Sequence, residues 1–312
     1  MPAEKPLVLV VGSTGRIGSV VVKNILGSGN FRVAILVRKE SLKKPVVQEH
    51  KNSGAELRVG DISESQEAIQ KHLQGVNILI SLVLAVVDQK PLLRAAKQVG
   101  TISRVVPSDF GPTAPRGVVE MLDMKRDIHE FVHELGLPFT FIEAAWWLMM
   151  LLPLPRSYMD KFLPQTQAQA QRTYAGDMHK RITISTLDSI GIFTAKILAD
   201  PRTLNKSVLI HDGDMSLAEA FTYAKKVTKK DFKSEYTKIP DEVILENTRS
   251  SDFWVRLFAQ YQNVIYLRND NDLSTLAARG VLNAREMYPE IPPVDREEET
   301  RKCYEEYDHS SM

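Results

Sequence analysis

VLVVGSTGRIG, residues Val8 to Gly18, decides the fold. Four branched apolar residues, Val8 to Val11, have the composition of a strand buried on both faces. The run breaks at Gly12, and Ile17, Val20, Val21, Ile25 and Leu26 then recur at helical spacing. Gly12, Gly15 and Gly18 therefore lie between a strand and a helix, in a G-x-x-G-x-x-G variant of the dinucleotide fingerprint. Glycine is needed there where the turn is tight, where backbone must approach a pyrophosphate and where helix packs on strand. The free N–H groups at the helix start face the anion, so Gly12, Ser13, Thr14, Gly15, Arg16, Ile17 and Gly18 are the candidate phosphate cradle.

Outward from this stretch, Phe31 to Val37 reads as a second strand ending at Arg38. That position is about 20 residues beyond the last motif glycine, where NAD enzymes place an acid for the ribose 2′-hydroxyl. A cation there attracts a 2′-phosphate instead, so the chain reads as NADPH/NADP+-dependent, with Arg38 as the main clamp and Lys43 or Lys44 as a second charge. Solvated surface charge is the alternative for these three residues.

Strands follow at Glu56–Gly60, Val76–Leu84, Arg104–Pro107 and Phe139–Glu143. They alternate with helices that start near Ser63, with Gln66 completing a capping box, and that cover Pro91–Val99 and Val119–Leu135. That rhythm is α/β, a Rossmann-type doubly wound parallel sheet. Ligands of such sheets bind beyond the carboxyl ends of strands, which brings Ser81, Leu82, Val83, Pro107, Ser108 and Phe110 to the cofactor edge. Trp146, Trp147, Met149 and Met150 follow the last of these strands, and suit either an aromatic substrate pocket or interdomain core, with a homodimer face as a further candidate.

The rhythm changes after residue 150. Leu151 to Pro155 is proline-broken and Gln165 to Arg172 reads as a polar loop. Asp188–Ala199 reads as a helix and Val208–His211 as a strand. Ser216 and Glu219 open another helix through a capping box, and Pro240–Leu257, Ser274–Leu282 and Arg296–Tyr307 read as helical. We expect an NADP-binding domain over 1–150 and a smaller mixed α/β substrate domain over 151–312, with parts of 181–212 returning to the first.

The 312 residues include 40 Lys plus Arg against 39 Asp plus Glu, so no global field suits nucleic acid or an anionic membrane. Cys303 is the only cysteine, which excludes an internal disulfide, and no Cys/His spacing suggests a metal. The apolar run Ala144 to Leu152 falls short of a bilayer span, which needs roughly 20 residues. The expectation is a cytoplasmic protein without membrane insertion.

Several stretches resemble the isoflavone reductase-like group of the NmrA-like family, atypical short-chain dehydrogenases that include phenylcoumaran benzylic ether and pinoresinol-lariciresinol reductases. They are the glycine loop, Leu36-Val-Arg38, Gly60-Asp61, Val106-Pro-Ser-Asp-Phe-Gly111 (close to the family's P-S-E-F-G), Leu137-Pro-Phe-Thr-Phe141, Asp200-Pro-Arg-Thr-Leu-Asn-Lys206 and Met287-Tyr-Pro289. The resemblance implies an NADPH-dependent reductase of a small aromatic, phenolic or enone substrate, with Lys125 as the acid/base. No tyrosine here has a lysine four residues on, in keeping with lysine-only chemistry. Composition alone leaves Lys125 open to a surface role beside Arg126. The family chemistry has the lysine take a phenolic proton while a benzylic ether opens to a quinone methide that receives hydride; in an enone reductase it protonates an enolate. His129, one turn after Lys125, is a candidate to bond substrate or tune the lysine, although plant members tend to have arginine there. Trp147 and Met150 are the remaining substrate candidates. The alternative function is a dinucleotide-binding redox sensor without turnover, as in NmrA itself.

Overall fold

A computed structural model describes residues 4–155, 172–268 and 270–309. The first strand, β1 (Leu7–Val11), has all five side chains buried. Val8 and Val10 enter one core, while Leu7, Leu9 and Val11 enter another on the opposite face. This is why the sequence there shows no polar alternation: a strand covered on both faces has no solvent side. Beside β1 lie β2 (Arg32–Val37) and β4 (Ile78–Ser81), both parallel to it, with Val8 opposite Val33 and Ile78. The strands β3 (Glu56–Val59) and β5 (Arg104–Val106) complete the order β3-β2-β1-β4-β5.

Helix α1 (Arg16–Ser28) packs in the first core, together with the later helix Leu187–Ala199. On the other face lie α3 (Gln66–His72), α4 (Lys90–Val99) and α5 (Glu120–Glu134). The short α2 (Pro45–Asn52) follows β2. The sheet continues beyond β5. Val105 bridges Phe139 in parallel, and β6 (Thr140–Glu143) pairs with Lys206–Leu209, which pairs in turn with Leu282–Asn283. The last of these strands lies outside the 181–212 range expected to return to the sheet.

The specific motif at Asp200–Lys206 finds its reason here. The Asp200 carboxylate accepts bonds from Arg202 and, at 3.1 Å, from the Tyr288 hydroxyl of the Met287–Pro289 motif. The Asn205 side chain accepts from Phe139 N at 3.1 Å, and the buried Arg104 guanidinium donates to the carbonyls of Ile197 and Leu198 at the helix end. Arg104 thus fastens the end of Leu187–Ala199 to β5, while the two motifs tie the turn after that helix to each other and to the start of β6. Burial holds the Arg104 guanidinium below its usual range.

A third core gathers Trp146, Met149, Ile182, Ile184, Met215 and Phe221, with Tyr304 from the C-terminal helix Arg296–His309. Trp146 and Met149 are therefore core residues.

Several expected boundaries move. The helix near Ser63 is capped by Ser65, whose hydroxyl accepts from Ala68 N, because the Asp61 carboxylate has already taken Ser63 N into a turn. The strand expected to reach Leu84 stops at Ser81. Ser216 and Glu219 do form the reciprocal box. The expected Pro240–Leu257 helix divides into Asp241–Asn247 and Phe253–Gln262, the second capped by Asp252. Ser274–Leu282 is helical only to Ala278, since Leu282 joins the sheet. The Gln165–Arg172 loop lies, except for Arg172, outside the described residues.

Candidate functional site

The three motif glycines do different things. Gly12 has φ +82°, and a Cβ there would sit 2.7 Å from Leu82 O, so the left-handed turn and the close passage of the chain after β4 both require glycine. A Cβ on Gly18 would overlap the Gly12 carbonyl and reach Ser13 Cα at 2.7 Å. Gly15, at φ −81° and ψ 171°, has an ordinary extended backbone, and its Cβ would meet only Gly12 O at 3.6 Å. The outer face of the loop is therefore left clear of protein at Gly15, directly over the N-terminus of α1, where no side chain caps the helix. First-turn N–H groups have no intrahelical partner, and an open helix N-terminus of this kind accepts an anion. Ser13 Oγ and Ser81 Oγ, both buried at this edge, have no hydrogen-bond partner among the described residues. These features fit a dinucleotide pyrophosphate.

The loop is held from behind by His50 of α2. Its Nε2 lies 3.1 Å from Ser13 O, and because a carbonyl only accepts, that nitrogen carries the proton. Arg16 and Ile17 begin α1, but the Arg16 side chain turns to Glu306 at 3.0 Å and to Met149 Sδ at 3.4 Å. What Arg16 presents to the loop is its backbone. Thr14 is half-buried beside Gly15.

Arg38 stands at the end of β2 with its side chain 60% exposed, 3.2 Å from Glu40 and 3.9 Å from Asp61 of the Gly60-Asp61 motif. Lys44 is exposed immediately before α2, on the same loop. Arg38 and Lys44 thus both lie in the segment between β2 and α2, with Glu40 competing for the first.

The chains leaving β4 and β5 are tied together. Ser108 Oγ donates to Val83 O at 2.6 Å, and the buried Gln89 side chain accepts from Ser108 N at 3.1 Å. Leu82, half-buried, follows Ser81 along the same edge. Phe110 has φ +45°, strained for a residue with a side chain. Its N donates to Ile142 O at 2.8 Å, and its O accepts from Trp147 Nε1 at 3.0 Å. The Phe110 ring is only 3% exposed and belongs to the first core, so packing is its evident task. Trp147 is half-buried, and Met150 is 54% exposed on the same short segment.

Lys125 reaches from α5 toward Asp109, whose backbone carbonyl accepts from its Nζ. A Cβ on Gly111 would stand 3.2 Å from that Nζ, so glycine in P-S-D-F-G leaves room for the ammonium. Burial pushes the Lys125 pKa down, opposed in part by the Asp109 carboxylate. One turn on, His129 stacks flat on Phe141, with ring centres 3.7 Å apart. Its Nε2 comes within 3.2 Å of Asp109 Oδ2 but makes no well-directed hydrogen bond. Asp109 is 8% exposed. Near it, Arg279 clasps the Glu143 carboxylate at 2.5 and 2.7 Å. The sequence reading passed over Asp109, Gln89, His50 and Arg279. For Asp109 a signal was present, since P-S-D-F-G carries the acid in its centre.

Among the described residues no three His, Cys, Asp or Glu side chains gather as a metal site, and no helix is long and apolar enough to cross a membrane. Cys303 is pushed up to about 12 by burial, which keeps it a thiol.

A parallel sheet in this order, with a glycine loop at its carboxyl edge and a half-buried lysine two strands away, defines a dinucleotide-binding α/β protein of the atypical short-chain dehydrogenase kind. The NmrA-like family pattern matches residues 4–298, and the chain belongs to that family. It is 29% identical over 307 residues to the isoflavone reductase homolog P3 of Arabidopsis thaliana, covering 93% of this chain and 96% of that one. With phenylcoumaran benzylic ether reductase Betv6 of Betula pendula it shares 28% over 309 residues, covering 95% and 98%. Leucoanthocyanidin reductase from Vitis vinifera, solved as a ternary complex, superposes with a TM-score of 0.76 at 25% identity, over 96% of this chain and 99% of that one.

Proposed function

We propose that this chain is an NADPH-dependent reductase of a small aromatic, phenolic or enone molecule, with Lys125 as its acid/base. The observation that carries the reading is the half-buried Lys125, whose ammonium is held by the Asp109 carbonyl and whose pKa desolvation pushes down. A lysine whose ammonium is desolvated gives up its proton more readily than a fully solvated one, as proton transfer needs. Its place at the carboxyl edge of the sheet, across from the glycine loop, supports the same assignment.

In this reading the backbone of Gly12 to Gly18 and the N-terminus of α1 bind the pyrophosphate, with Ser13 and Ser81 supplying hydroxyls. Arg38 and Lys44 hold the 2′-phosphate that distinguishes NADPH from NADH. The bound dinucleotide supplies hydride. Lys125 accepts a proton from a substrate phenol, or gives one to a developing enolate, at the oxygen it faces. Trp147 and Met150 offer an aromatic and a polarisable apolar surface for the substrate ring. Relatives named for benzylic ether and leucoanthocyanidin reduction support an aromatic substrate, and the cytoplasm remains the compartment we assign.

The test is NADPH consumption by wild type and Lys125→Ala against phenolic benzylic ethers, aryl enones and quinones. We expect turnover to fall by about 10²–10⁴-fold while NADPH affinity stays within about threefold. Turnover surviving in the variant removes Lys125 from the chemistry. No turnover by wild type, with the oxidised cofactor bound more tightly than the reduced one, favours the sensor.

A further inference from the structure

We propose that Asp109 and His129 are positioning residues for Lys125: the Asp109 carboxylate favours the protonated lysine, and His129 offsets that carboxylate. The proposal rests on the reductase reading for its purpose, though not for its test. Three residues from two segments converge here. Asp109 receives Lys125 Nζ on its backbone carbonyl and His129 Nε2 at 3.2 Å from its carboxylate. Lys125 and His129 are four apart on α5 and so share a face. The His129 ring is fixed by its stack on Phe141, and its side chain is 21% exposed against 8% for Asp109.

The physics separates the two contributions. The Asp109 carboxylate, on the residue whose carbonyl holds the Lys125 ammonium, favours the charged lysine, opposing desolvation. With its proton on Nε2, His129 offers a positive end to the same carboxylate, as an N–H dipole in the neutral ring or a full charge in the imidazolium. Because its contact with Oδ2 is close but poorly directed, it acts through the field rather than through an ideal hydrogen bond. In either state it weakens the carboxylate's hold on the lysine proton.

The other charges around Asp109 are already committed. Arg279 feels Asp109 but is clasped by Glu143 of β6. On α5, Asp123 and Arg126 pair with each other at 2.7 Å, and His133 stands edge-on to Phe139 and Phe141. Beside desolvation, which bears most on the lysine proton, Asp109 is the charge it feels, and His129 is the group set against that charge.

Three variants test this: Asp109→Asn, which keeps the backbone carbonyl; His129→Phe, which keeps a ring against Phe141; and the double variant. Lys125 reactivity is read in the cofactor-free protein by brief acylation across about pH 6 to 10, quantified by peptide mass spectrometry, beside the pH profile of NADPH turnover. The labelling midpoint is expected about one pH unit lower in Asp109→Asn and measurably higher in His129→Phe, with the double variant matching Asp109→Asn. Shifts in the same direction, no shift, or a His129→Phe shift that survives beside Asp109→Asn overturn the proposal. Should Asp109→Asn fail to fold, His129→Phe still decides it, since losing the N–H must move the midpoint upward. Opposed labelling shifts in a protein that turns nothing over would uphold the pair and reject the reductase.

Discussion

Gly15 and Gly18 carry equal weight in the motif, yet the structure predicts opposite consequences for replacing them. In Gly15→Val the backbone is already extended, as a β-branched residue prefers, and the nearest protein atom to the new Cβ is 3.6 Å away. Losing glycine reduces the freedom of the unfolded chain, worth about 0.4–1 kcal/mol, while valine is a poorer N-cap by a similar amount. Net stability should stay within about 0.5 kcal/mol of wild type. The isopropyl group, however, projects over the helix N-terminus, where the pyrophosphate must approach. NADPH affinity should fall by about 100-fold or more, roughly 2.7 kcal/mol. In Gly18→Ala the methyl meets the backbone of Gly12 and Ser13, which cannot rotate away. Separating α1 from the loop should cost about 1–3 kcal/mol. The two variants are compared by thermal unfolding without cofactor and by NADPH fluorescence titration. The Gly18→Ala Tm should drop by about 2–8 °C, whereas that of Gly15→Val should hardly move. A Gly15→Val protein that binds NADPH like wild type, or that unfolds as early as Gly18→Ala, refutes the division of labour drawn from the loop.

Two further outcomes are expected. Arg38→Ala should weaken NADPH by about 10- to 100-fold and NADH by less than about threefold, and equal losses for the two cofactors would remove Arg38 from the 2′-phosphate. Burial lowers the pKa of His211, so below the unfolded-state value of about 6.5 the unfolded chain takes up the proton first. Its contribution is present above that pH and lost as pH falls through the folded-state pKa. Tm measured at successive pH values below about 6.5 should therefore decline less in His211→Asn than in wild type, and parallel declines would show that other groups dominate.

The sequence by itself determined the parts whose causes are local. A branched apolar run followed by spaced glycines can be little other than a buried strand turning into a helix, because strand burial and the tight turn act within a dozen residues. The position of Arg38 was legible for the same reason, as it depends on where β2 ends. Lys125 was reached through family resemblance, since nothing on its own helix marks its ammonium as set against Asp109. Only the tertiary structure decided what surrounds it. Asp109 and His129 lie 20 positions apart and meet because α5 folds back across the end of β5. His50 and Gln89 act on loops far from them in sequence. The Asp200–Lys206 motif, specific enough to suggest chemistry, ties a turn to the start of β6 through Asn205 and to Tyr288 through Asp200. Lys206–Leu209 finds its place beside β6 only because a parallel neighbour exposes unpaired backbone there. Propensity and periodicity act along the chain, whereas burial, ion pairing and strand order depend on which distant segments arrive at the same place.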